Sequence, residues 1–156
     1  MIYPDNFENK IQFNEIRSLL KGYCLSQLGK DKVDDMAFTS DAERINTALS
    51  QTREFRRMQE EADDFPLQFF FDMRASIKRI RIEGTHLEEN EIFDLRRSLE
   101  TISGIVKFLN RSDDDGNYDY PTLHALTEDV LTFPDLIRRI DQILDKYGKI
   151  KDTASP

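Results

Sequence analysis

The stretch LEENEIFDLRRSLETISGIVKFL, residues 87–109, decides how this chain folds. Ile92, Leu95, Leu99, Ile102, Val106 and Leu109 recur in alternating steps of three and four, the seam a helix shows when it lies lengthwise against another. Phe93, Ile105 and Phe108 widen the apolar face beyond a bare seam, which favours burial in a bundle over an isolated two-stranded coiled coil. About 25 residues at ~1.5 Å of rise each predict a rod of roughly 37 Å. Glu88, Glu89 and Glu91 fall in its first turn, where negative charge suits the helix dipole. Ser103-Gly104 predicts a close helix crossing.

Working towards the C-terminus, Asp113 to Asn117 reads as a polar turn. Pro121 then stands at the first position of a helix carrying Leu123, Leu126 and Val130. Phe133-Pro134 repeats the arrangement for a last helix with Leu136, Ile140, Ile143 and Tyr147, stopped by Gly148. Towards the N-terminus, Met73, Ile77 and Ile80 predict a helix running to about Glu83 and ended by Gly84. The connector Phe65 to Phe71, FPLQFFF, is too short and too aromatic to assign by period, and reads as a buried connector or a brief strand. Before it, Ser40-Asp41-Ala42-Glu43 has the spacing of a capping box and opens a long helix with the stripe Ile45, Leu49, Thr52, Phe55 and Met58 or Gln59. Phe13, Ile16, Leu20 and Tyr23 mark the first amphipathic helix, and Ser26 caps a second, short one with Leu28 and Val33 inward and a kink at Gly29. The fold class is therefore all-α: a multi-helix bundle or array forming one helical domain over 1–148, with 149–156 as an extended tail.

Composition narrows the function classes. The 156 residues carry thirty Asp plus Glu against twenty-two Lys plus Arg, a formal charge of −8, with eleven Phe and five Tyr to fill a core. That acidic balance disfavours a whole-surface nucleic-acid binder, because phosphate repels carboxylate. One cysteine, Cys24, excludes an intrachain disulfide and suits the reducing cytosol. No apolar run approaches the roughly 18 residues that span a bilayer.

Candidate chemistry is thin. Gly29-Lys30 is followed by Asp31, and Cys24 stands five before Gly29, so no Walker A loop exists here. His86 and His124 have no His or Cys at i+3 or i+4 for zinc. Aligning Gly116 with the sixth position of a calcium loop puts Arg111 at the first ligand and Thr122 at the twelfth, which fails. One pattern points to nucleic acid: Arg74, Lys78 and Arg81, at i, i+4 and i+7 with Arg79 nearby, would align three cations on one side of a helix. Phosphate contact is the sharper reading, and salt bridging to the acidic surface the plainer one.

Taken in order, the segments resemble a family. Phe13-Asn14-Glu15-Ile16 with Leu20, Leu28-Gly29-Lys30, and Thr39-Ser40-Asp41 with Ile45 resemble the opening of the second MutS branch of bacteria, homologues that usually end in an Smr nuclease domain. Gln51-Thr52-Arg53-Glu54 resembles its Q-T-x-E helix, Asp72-Met73-Arg74 with Ile77 its D-[IL]-R-x-x-L step, and Gly84-Thr85-His86-Leu87 its G-x-x-L helix start. Ile140-Asp141 followed by Gly148-Lys149-Ile150-Lys151-Asp152-Thr153-Ala154-Ser155-Pro156 is similar to I-D-x-x-G-x-[IV]-x-D-x-A-S-P. Phe69-Phe70-Phe71 departs from the glycine-containing step expected at that place.

The resemblance implies the N-terminal core and lever segment of a larger, homodimeric ATPase that binds branched or unusual DNA, restrains recombination, lacks a mismatch-reading domain and in some members attends stalled ribosomes. ATP, magnesium and the endonuclease would then belong to parts after Pro156. No catalytic, cofactor or metal residue is carried onto this chain, and its role would be mechanical. The competing class is a stand-alone helical adaptor that binds a partner helix through its Phe-rich or heptad surface.

Overall fold

The computed structural model describes residues 6–154 and is all-α. The helices are α1 (Phe7–Lys10), α2 (Phe13–Tyr23), α3 (Gln27–Asp34), α4 (Ala42–Glu61), α5 (Arg74–Arg79), α6 (Glu89–Leu109), α7 (Pro121–His124) and α8 (Pro134–Ile143). Among the described residues, strand-like pairing is confined to two isolated antiparallel bridges, Ser112 with Tyr118 and Leu144 with Ile150. Ser155 and Pro156, the end of the tail motif, lie outside the described residues. The described residues form two compact units, 6–38 with 70–72, and 39–69 with 73–154.

The first unit is built from α1, α2 and α3. Gln12, at φ 58°, makes the break between α1 and α2. Ser26 caps α3 as expected, its Oγ accepting from the Gly29 amide at 3.1 Å. Gly29 therefore stands in the first turn of α3, where its amide meets the cap. Phe7 meets Phe38 edge to face at 6.5 Å between centroids.

The second unit centres on the C-terminal half of α4 and of α6. Met58, 1% exposed, packs with Phe108, Leu109, Tyr120 and Leu123, and Phe55, Phe65 and Ile105 lie against them. The aromatic rings interlock: Phe65 stands edge-on to Phe55 at 6.1 Å and to Phe108 at 5.1 Å, and Phe108 stacks on Tyr120 at 6.0 Å. Phe65 is thus a core residue, so the connector is part buried and runs without regular structure. Gly104 admits Pro66 of that connector, whose Cγ would lie 3.2 Å from an added Cβ; the close approach is to the connector and not to another helix. Thr101 Oγ1 donates to the Gln68 carbonyl at 2.6 Å. Phe69 follows at φ 57°, the left-handed region that favours glycine, with the Arg97 guanidinium 4.7 Å over its ring. The aromatic residue therefore adopts a glycine conformation at the step where glycine was expected.

Several boundaries differ from the sequence reading for local reasons. Asp41, not Ser40, caps α4, accepting from Glu43 N at 3.0 Å and Arg44 N at 3.1 Å; the shift of one residue takes Glu43 out of the position that a capping box needs. Such a box forms instead at α6, where the Glu91 carboxylate accepts the Glu88 amide at 2.9 Å. With 21 residues, α6 is about 32 Å long. Its buried residues are Thr101, Phe108 and Leu109, while Ile102 is exposed, because it packs on α7, α8 and the connector rather than along one partner helix. Helix α5 stops at Arg79, ahead of Glu83, where the Thr85 hydroxyl shares its one proton between the Arg79 and Ile82 carbonyls, 2.8 and 2.7 Å away. The expected helix through Val130 gives way after His124 to a tighter turn over Ala125–Thr127. Helix α8 ends at Ile143, leaving Tyr147 exposed in a turn. No helix among the described residues is long and apolar enough to cross a membrane.

Candidate functional site

The cations singled out by spacing lie where α5 leads into α6. Arg74 and Lys78 are on α5, and Arg81 is in the turn that follows, because the helix ends before it. All three are exposed, and among the described residues Lys78 and Arg81 have no ion-pair partner. Arg79, also exposed, pairs with Glu91 and donates to the His86 carbonyl at 3.3 Å. Glu91 gathers this corner. It accepts from Ser76 Oγ at 2.6 Å as well as from Arg79 and the Glu88 amide, and these donors, led by Ser76, hold its carboxyl down at about 2. The corner is therefore rigid at its base and cationic at its rim.

A second tie joins α4 to α7. Helix α7 opens on Pro121 and buries Leu123, and its free amides need acceptors. Both oxygens of Glu54, one turn before Met58 on α4, accept them: Oε1 from Thr122 N at 3.1 Å and Oε2 from Leu123 N at 2.9 Å. Nothing in the local sequence of α7 reveals this cap, which comes from 68 residues away; the glutamate of the Q-T-x-E segment is its only signal.

A third tie joins α6 to α8 and the segment after it. Arg96 Nε meets Asp141 Oδ1 at 2.8 Å, and a second nitrogen meets Oδ2 at 3.3 Å. Hydrogen bonding to Asp141 raises the Arg96 pKa. Past Ile140 and Leu144, both buried, the chain doubles back: Asp145 Oδ1 accepts Tyr147 N at 2.8 Å and Lys149 N at 2.9 Å, and Lys151 N donates to the Ile143 carbonyl at 2.8 Å. The Lys149 amide is the main cause that lowers the Asp145 pKa. Gly148, at φ 79°, sits against Phe93, whose Cγ would be 2.7 Å from an added Cβ. Residues 149–151, expected as the start of an extended tail, are thus held against the end of α8.

Other candidates resolve into structure. An open cleft beside the core is lined by Arg57, Asp64, Arg111 and Tyr120, but its cations are engaged: Arg111 forks onto Asp64, and Arg57 donates to the Asp119 carbonyl and lies 4.9 Å over the Tyr120 ring. Asp113 closes its turn by accepting from Asp115 N, Asn117 N and Asn117 Nδ2, which lowers its pKa, the Asn117 side chain first. His124 stacks on Tyr118 and meets Asn110 Oδ1 at 3.1 Å; Cys24 is half-buried, its Sγ 3.3 Å from the Leu20 carbonyl. Among the described residues no group of three or more His, Cys, Asp or Glu side chains is arranged to hold a metal ion.

Comparison with known proteins gives one consistent answer. The chain is 28% identical over 146 residues to Endonuclease MutS2 of Levilactobacillus brevis, 27% to that of Symbiobacterium thermophilum and 25% to that of Halalkalibacterium halodurans. Each match covers 94% of this chain but 18% of the relative, so the chain spans less than a fifth of the proteins it resembles. The resemblance carried by the motifs is thus found along nearly the whole sequence. No family model matches the chain, and no solved structure matches it.

Proposed function

We propose that this chain is the N-terminal, non-catalytic helical segment of a larger MutS-type protein, a packed connector between DNA clamp and ATPase that transmits the nucleotide state. The supporting observation is where the motif residues are spent. Glu54, Asp141 and Gly148 each act on a distant element, α7, α6 and Phe93 respectively, and Glu91 does the same for α5. Elements tied at both backbone and side chain move as bodies, which is what a connector between two working parts requires.

The parent is proposed to be a cytoplasmic, homodimeric ATPase and endonuclease that uses ATP and magnesium in its other parts. It would act on branched or unusual DNA, restrain recombination and attend stalled ribosomes. Arg74, Lys78 and Arg81 are the proposed nucleic-acid contact of this segment: neutralising all three should lower the DNA affinity of the parent and flatten its salt dependence. The connector role is tested by hydrogen exchange on the parent with and without a non-hydrolysable ATP analogue. Nucleotide-dependent protection in α6 and α8 is expected; no change there, or ATP turnover by the 156-residue chain alone, overturns the reading.

The adaptor reading is kept by one observation, the large apolar side chains left exposed, among them Leu19, Tyr23, Leu131 and Tyr147. The reading frame after Pro156 separates the two. A continuation with a G-x-x-x-x-G-K-[ST] loop supports the connector, and a stop supports the adaptor.

A further inference from the structure

Helix α2 is turned inside out. Ile16, Leu19, Leu20 and Tyr23 lie at i, i+3, i+4 and i+7 and form one continuous stripe, yet they are 47%, 67%, 38% and 84% exposed. The half-buried positions are Phe13, Arg17 and Lys21, centred about a quarter turn away around the helix. Arg17 anchors that inner side: its side chain, 13% exposed, bonds Glu8 at 2.8 Å, Asn14 Oδ1 at 3.0 Å and the Met36 carbonyl at 2.5 Å, with its guanidinium 4.6 Å over the Phe13 ring. The rotation of α2 is therefore fixed by charge-assisted bonds, and the apolar stripe is held outward.

With Leu25 beside it, the stripe leaves on the order of 500 Å² of apolar surface, within the range of the largest patch on a soluble monomer, which is often a functional one. A second copy is a poor occupant: pairing through this patch would bury about 1,000 Å², short of the ~1,200 Å² where stable interfaces begin. The relatives supply a better one, since more than four-fifths of each of their chains lies outside the match. We infer that the outward stripe of α2 is the docking surface for an amphipathic helix from the part of the same polypeptide beyond Pro156. This rests on reading the chain as the N-terminal segment of a longer protein. The face of the incoming helix is apolar and uncharged along its middle, and it can approach closely beside Leu19, where nothing lies within 4 Å of a Cβ built on Gly22.

Hydrogen exchange of the α2 amides, measured in the 156-residue chain and in the longer polypeptide, tests the inference. Exchange at least ten-fold slower in the longer polypeptide is expected, with Leu19→Gln plus Tyr23→Gln restoring the faster rate there while leaving the circular dichroism of the 156-residue chain unchanged. Equal rates in the two proteins overturn the docking surface and leave the connector reading standing. Protection already present in the 156-residue chain and lost on dilution assigns the stripe to a second copy and overturns it as well. A reading frame that stops after Pro156 removes the connector reading, and the docking surface with it.

Discussion

Two helices of this chain, α2 and α4, carry apolar stripes and meet different fates, although α2 is the more sharply amphipathic of the two. The stripe of α4 is open at Ile45 and Leu49 but ends in Met58, sealed among Phe108, Tyr120 and Leu123, whereas on α2 Ile16, Leu19, Leu20 and Tyr23 all face water. Amphipathic pattern states that a face is to be covered; it does not state by what. What decides is the second set of contacts: α4 offers Glu54 to α7 and Phe55 to Phe65, while α2 offers Arg17 to its own neighbours and turns its leucines away.

The strongest way to break this contrast is to empty the core. Met58→Ala or Phe108→Ala should cost about 3–5 kcal/mol in urea unfolding of the 156-residue chain. A loss below 1 kcal/mol would mean that the region around Met58 is no more committed than α2. Next is Gly148→Ala, expected to cost about 2–3 kcal/mol, since the new Cβ strikes Phe93 and the residue must keep φ 79°. A wild-type melting temperature would show that the turn after α8 bears no load. Glu54→Ala should cost about 1–2 kcal/mol through the uncapped start of α7, with Glu54→Gln recovering part of it.

Acid titration sharpens the contrast from another side. Glu91 is held at about 2, below its ordinary 4.5, so its contribution is fully present above pH 4.5 and is lost as pH falls towards 2. In Glu91→Gln the unfolding free energy should fall less steeply across that window; an identical slope would remove Glu91 as the tie between α5 and α6. The smallest effect is expected at α2, where Leu19→Ala should change the stability of the 156-residue chain by less than about 0.5 kcal/mol. A loss comparable to Met58→Ala would place the stripe in a core after all.

Periodicity made the long helices legible, since α2, α4 and α6 each repeat their apolar residues over three turns or more. The failures arise where a side chain bonds the backbone and overrules the apolar period, mostly from a few residues away. Thr85 stops α5 and Asp145 reverses the chain after α8, both from close by, whereas the cap that Glu54 gives α7 comes from another helix and leaves no trace in the local sequence. For the candidate site, spacing singled out Arg74, Lys78 and Arg81 as a helical row, but the row assumed a helix to Glu83. The turn after Arg79 takes Arg81 off it. Glu91, read from sequence as a first-turn acid, proves to be that and also the anchor of the neighbouring corner.

The cap that Glu54 places on α7 also orders events in time. Helix α7 has four residues, far too few to persist alone, and its amides find their acceptors only once a loop of nearly seventy residues has closed. In refolding, α4 and α6 would collapse around Met58 and Phe108 first, and the segment from Tyr118 to Thr127 would zip on afterwards. Substitutions at Glu54 should then speed unfolding while leaving the folding rate almost untouched.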